Sequence, residues 1–326
     1  MSLSTAAASS RTEHAPAPTP PRRTGRRLAR LDVKYSPYLL IAPFFIVFGT
    51  FGLYPMVRTL WMSLHDWDLL NLYAPQPFVG LDNYVALLSD DYFWNALRNT
   101  FAMFLIATIP QLMLALWLAA MLNRPLRART FFRMSILVPN VTSVAAVGIV
   151  FGTLFQRDFG VVNWALGLVG LDPVDWRNEQ WAAWGAIATM VDWRWTGYNA
   201  LIFLAGMQAI PRDLYEAAAI DGASRWRQFW TVTLPMLRPT LTFAVILSTI
   251  GGIQLFTEPL IFAGNILGGN TRQFQTVAMY MFEKGIDNPD TAGYGAAVAW
   301  AIFLVIIVIS LLNFLLVRRA VRGEPR

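Results

Sequence analysis

Six stretches of this chain, at about 38–61, 100–122, 134–155, 182–208, 240–262 and 294–317, run for about twenty residues or more with almost no charge. Each is bounded by charged or turn residues. A helix of ~20 apolar residues spans the ~30 Å hydrocarbon core of a bilayer. The pattern therefore predicts an all-α polytopic membrane protein with six transmembrane helices. Six buried helices of a soluble protein would need polar sequence to cover them. With 56% of the 326 residues hydrophobic and 14% charged, that cover is missing.

Composition also narrows the chemistry. There is no Cys, and the two His are His14 and His65. Disulfides and thiolate metal sites are excluded, and almost nothing is left for a histidine-based metal site or triad. The spans hold no clustered carboxylates, His pair or Ser-Lys dyad. No catalytic residue, no metal site and no enzyme activity are expected.

Residues 1–37 are rich in Ala, Ser, Thr, Pro and Arg and have no apolar core before Tyr38. They read as a disordered basic cytoplasmic tail and not as a cleaved signal peptide, with nucleic-acid binding the weaker alternative. Nineteen of the 26 Lys and Arg fall in this tail, in 123–133, in 209–239 and in a C-terminal tail at 318–326. Six fall in the opposite segments, and Arg194 lies inside a span. The positive-inside rule then predicts both termini in the cytoplasm. The outer loops are acidic and aromatic. An interfacial belt explains Trp61, Trp94, Trp181 and Trp184; a docking surface for an extracytoplasmic partner is the other reading.

The cytoplasmic segment 209–239 is longer than a connection needs. Pro211 suits the first turn of a helix, Asp213 and Glu216 favour its positive end, and Ala217, Ala218 and Ala219 extend it. Asp221 leads into Gly222, which suits a positive-φ break. A second short helix is expected from about Ser224, with Pro235 and Pro239 separating it from the fifth span. This elbow reads either as an interfacial amphipathic pair or as a docking element.

Spacing decides between them. Glu216-Ala217-Ala218, Gly222, Val232 and Leu234-Pro235 resemble the EAA motif of ABC importer permeases, with Val232 where the family usually has Ile. The stretches 78–100, 129–139, 158–167 and 204–239 extend the resemblance over most of 38–317. They are similar to carbohydrate-uptake permeases, specifically the maltose-transporter F-type subunit in its six-span form. The resemblance implies that the elbow, with Glu216, Ala217, Ala218, Asp221, Gly222, Leu234 and Pro235, couples to a cytoplasmic ATP-binding-cassette ATPase dimer. It also implies a second six-span permease subunit and an extracytoplasmic solute-binding protein. A P-loop needs Lys followed by Ser or Thr. The only lysines, Lys34 and Lys284, precede Tyr35 and Gly285. No cofactor is therefore expected in this chain, and ATP would be bound by the partner.

Polar groups at membrane depth mark the candidate path. Asp192, Trp195 and Asn199 share one face of the fourth span, and Arg194 and Tyr198 the adjacent one. Residues two apart do not face each other on a helix, so Asp192 and Arg194 each need another partner. They either line the path or bridge to the partner permease. Gln254, Thr257 and Glu258 share a face of the fifth span, where Glu258 caps the helix or marks a gate. By resemblance, Tyr198 and Gln254 match sugar-contacting positions. Gln111 and Asn140 read as helix glue. The stretch 268–285 is similar to cellobiose-type permeases, which points to a di- or oligosaccharide. The alternatives are an ABC permease for another solute such as glycerol phosphate, or a secondary transporter with Asp192 and Arg194 as an ion relay.

Overall fold

The computed structural model describes residues 23–71 and 73–322. Half of the expected basic tail lies outside these residues, but the remainder is not irregular: α1 (Arg23–Phe48) begins well before Tyr38. Beyond Gly25 this segment has no helix breaker until Pro37, and Arg, Leu and Ala favour helix. At the other end α15 (Ala292–Arg322) runs through most of the expected C-terminal tail, and residues 323–326 lie outside the description.

The described residues fall into two compact units, one up to Arg58 and one from Thr59. In the first, α1 carries Pro37 and Pro43, and Phe44 stacks on Phe48 at 6.1 Å. A π-helical turn at Gly49–Leu53 leads into α2 (Tyr54–Ser63). The second unit continues with α3 (Asp82–Leu88), α4 (Asp91–Leu122), α5 (Arg129–Val141), α6 (Val144–Leu154), α7 (Val161–Leu168) and α8 (Gln180–Gln208). Then come α9 (Arg212–Ile220), α10 (Arg225–Gln228), α11 (Leu234–Met236), α12 (Arg238–Ile253), α13 (Thr257–Ala263), α14 (Val277–Phe282) and α15. Among the described residues the only β pairing is the bridge His65–Phe78, so the chain is all-α.

Helices stand at all six expected places, but not all are simple spans. Tyr35–Ser63, Asp91–Leu122, Arg238–Ala263 and Pro289–Leu315 are long and apolar enough to cross a membrane. The third expected span is a broken pair: α5 and α6 meet at 88° across Thr142 and Ser143. Pro139 removes a backbone donor one turn before the break, and Thr142 turns extended at ψ 143°. The fourth, α8, has the length, 29 residues or ~44 Å at ~1.5 Å per residue. Asp192 and Arg194 lower its apolarity. The fifth is interrupted between Ile253 and Thr257.

The centre of the second unit is α4 against α8. Ala96, Ala107, Ala115 and Ala119 on α4 are buried, as are Ala182, Ala186, Gly197 and Ala200 on α8. Small residues at helical spacing let the two backbones approach closely. Gly197 permits a still closer contact with α5, since a Cβ there would stand 1.7 Å from the Ile136 carbonyl oxygen. Of the three apolar clusters, two draw on both α4 and α8. One joins Met103, Phe151, Ile187, Met190 and Phe262, and the other joins Ala115, Phe203, Leu204, Met207 and Leu237. The stretch of α4 and α8 between them is where the polar residues lie.

The loop after α13 is clamped to the start of α4. Arg272, at φ 57°, donates to both carboxylate oxygens of Glu283 and to Gln275 Oε1 at 2.8 Å. Its carbonyl accepts from Asn95 and Asn99, and its guanidinium lies 4.6 Å from the Tyr92 ring centroid. Burial alone would raise the Glu283 carboxyl; hydrogen bonds from Arg272 and Gln275 outweigh it and hold the group below its ordinary value of 4.5.

Candidate functional site

Between the two apolar clusters lies a cavity of about 500 Å³ walled by α4, α8 and the α12–α13 break. This falls within the ~300–1,000 Å³ of small-molecule sites. Trp195 is near the middle of α8, so the cavity sits about half-way along the bundle. Of the seven residues expected to touch substrate, five line it: Trp195, Tyr198, Asn199, Gln254 and Glu258. Trp195 and Tyr198 meet edge to face, with centroids 5.8 Å apart. Asn199 donates a long hydrogen bond, 3.4 Å, to Ser248 Oγ.

The break in the fifth span shapes this wall. Gly252 approaches Phe104 so closely that a Cβ would come within 2.5 Å of the ring. The chain then leaves the helix at Gln254 and resumes at Thr257, with Phe256 at φ −134°, ψ −56°. Gln254 and Glu258 reach the cavity from opposite sides of a break and not from one continuous helix face.

The other two expected residues do not line the cavity. Arg194 pairs with Glu258, both about nine-tenths buried, joining α8 to α13. Asp192 is not part of the cavity wall: its Oδ1 is buried with no hydrogen-bond partner among the described residues, as is Thr196 Oγ1 one turn on. Four further polar residues that the sequence did not assign to substrate line the cavity, namely Thr108 and Gln111 of α4, Ser248 of α12 and Thr257 of α13. The usable signal was Phe104, Thr108 and Gln111 at helical spacing, the same aromatic and polar mixture sought on α8.

At the other end of α8 the chain forms the expected elbow. Pro211 is the N-cap of α9, and α9 ends at Gly222 with φ 75°. The amides of Gly222 and Ala223 close the helix end on Ala219 and Ala218. Ser224 caps α10, and Tyr215 Oη and Thr233 Oγ1, 2.9 Å apart, hold the two arms together. Pro235 and Pro239 do not merely separate the arms from the fifth span. Each sits in the first turn of a helix, α11 or α12, where a missing N–H costs nothing. Glu216, Ala217, Asp221 and Gly222 are exposed, Ala218 is half-buried, and Leu234 and Pro235 are partly buried at the base.

Comparison with known proteins gives a consistent set. Residues 111–322 match the model of a family described as binding-protein-dependent transport system inner membrane component. The chain is 38% identical to the lactose transport system permease protein LacF of Rhizobium radiobacter, covering 85% of this chain and 92% of that one. It is 35% identical to the arabinooligosaccharides transport system permease protein AraP of Halalkalibacterium halodurans, covering 89% and 90%. Its fold resembles a chain in the crystal structure of a bacterial ABC transporter involved in the import of the acidic polysaccharide alginate. The TM-score is 0.74 at 22% identity, over 90% of this chain and 99% of that one.

Proposed function

The chain belongs to the family of binding-protein-dependent transport system inner membrane components, the permeases of ABC importers and not enzymes, and on that premise we propose that it carries a di- or oligosaccharide into the cytoplasm. The observation that carries this reading is the mid-bundle cavity. Its largely apolar wall includes aromatic rings and neutral hydrogen-bonding side chains, the mixture that sugar C–H faces and hydroxyls require. The substrates named for LacF and AraP, both sugars, support the same class.

In this reading the chain pairs with a second six-span permease within the lipid bilayer, receives sugar from an extracytoplasmic solute-binding protein, and uses no nucleic acid. Its exposed elbow docks on an ATP-binding-cassette ATPase dimer, which binds the ATP. The basic residues at 123–133, 209–239 and 318–326 support placing the elbow and both termini in the cytoplasm. The cavity then opens alternately to either side. Uptake of labelled lactose, maltose, trehalose, cellobiose and xylobiose, in cells with and without this gene, tests the proposal. Loss of one sugar's uptake is the expected result. A deletion strain that takes up every sugar normally, with no second importer induced, would contradict it.

A further inference from the structure

We propose that the cavity accepts uncharged sugars and rejects anionic ones, and that the Phe104–Thr108–Gln111 face of α4 is the wall that grips them. This rests on the reading of the cavity as the sugar path. Of the residues lining it, Glu258 alone carries a charge, and that charge is committed to Arg194. Arg194 itself is buried and does not reach the cavity surface. A uronate or phosphate entering this space would lose its hydration and find no free cation in exchange. A hydroxyl-bearing neutral ring loses less and recovers it through hydrogen bonds.

Gln111 provides those bonds. It is 4% exposed, yet its side-chain amide makes no hydrogen bond among the described residues, and it lines the cavity. Its amide atoms are not among the fully enclosed unpaired ones, so they stay open to the cavity and present an oxygen acceptor and two N–H donors to the space where substrate would lie. That set matches two adjacent sugar hydroxyls. Thr108 adds a hydroxyl one turn away on the same face. Phe104, held against Gly252, adds a ring to the cavity wall beside those of Trp195 and Tyr198 for the apolar face of the sugar.

The test exploits the absence of cysteine from the chain. In the assembled complex in proteoliposomes, Ser248→Cys places one thiol on the cavity wall, and its rate of maleimide labelling reports occupancy without passing through the solute-binding protein. An uncharged disaccharide from the panel of lactose, maltose, trehalose and cellobiose, at ten times its Kd, should slow labelling about tenfold. Galacturonate and glycerol phosphate should leave the rate unchanged. Adding Gln111→Leu should abolish protection while leaving the sugar-free labelling rate as it was. Protection by the anions equal to that by neutral sugars would overturn the selectivity and leave the sugar reading standing. Undiminished protection with Gln111→Leu would remove α4 from the site. If neither class protects, the sugar reading falls together with this one.

Discussion

Arg194 and Glu258 set the electrostatics of the site with one bond. Two opposite charges buried together at membrane depth neutralise each other, but either alone is an uncompensated ion. Glu258→Ala should therefore destabilise the protein by about 3–5 kcal/mol, whereas the joint change Arg194→Met with Glu258→Leu should come close to the wild type. Thermal melts of the purified complex in lipid nanodiscs distinguish these outcomes; a single variant as stable as its parent would show that the pair is not tied as described. The sequence made Arg194 conspicuous and required a partner outside its own helix, but it could not name Glu258, 64 residues on, because that pairing exists only once α13 packs on α8. Gln111 was passed over for a related reason. A single amide in an apolar span looks like helix glue until its lack of a protein partner is visible.

Helices in this chain were legible where their ends carry local signals and obscure where they break in mid-span. Pro211, Gly222 and Ser224 mark the elbow within a residue or so, because proline, positive φ and a capping hydroxyl act through the backbone next to them. The 88° turn between α5 and α6 and the gap between α12 and α13 sit inside apolar runs. Their cost is met by tertiary contacts that hydrophobicity does not report. The same holds for the Arg272 clamp, where residues from α4, the loop and the turn after α14 converge. Because the folded state holds the Glu283 carboxyl below its ordinary 4.5, protonation opposes the clamp: its contribution is full at neutral pH and is lost as pH falls below that value. Hydrogen-exchange protection of residues 268–276, corrected for intrinsic rates, should drop on acidification below about pH 4. In Glu283→Gln it should be low already at pH 7. Protection in the wild type that stays unchanged well below about pH 4 would contradict this account.

At the scale of the whole molecule, charge and apolarity divide the labour. Basic residues gather in the segments assigned to the cytoplasm, the long helices are apolar, and several of the polar residues within them line one cavity between two apolar clusters. Neither lysine of the chain sits in a P-loop, and in the proposed reading the work arrives through a surface. The elbow is the exposed element whose shape the sequence specifies most closely. A Cβ at Gly222 would meet no atom of this chain within 4 Å, so a side chain there disturbs local folding through its φ of 75° and otherwise acts on whatever docks against the turn. ATP-driven accumulation of the transported sugar in proteoliposomes, comparing wild type with Gly222→Asp at equal complex content, is the most direct test. The account predicts an assembled complex in which sugar uptake is lost; uptake at the wild-type rate would contradict it.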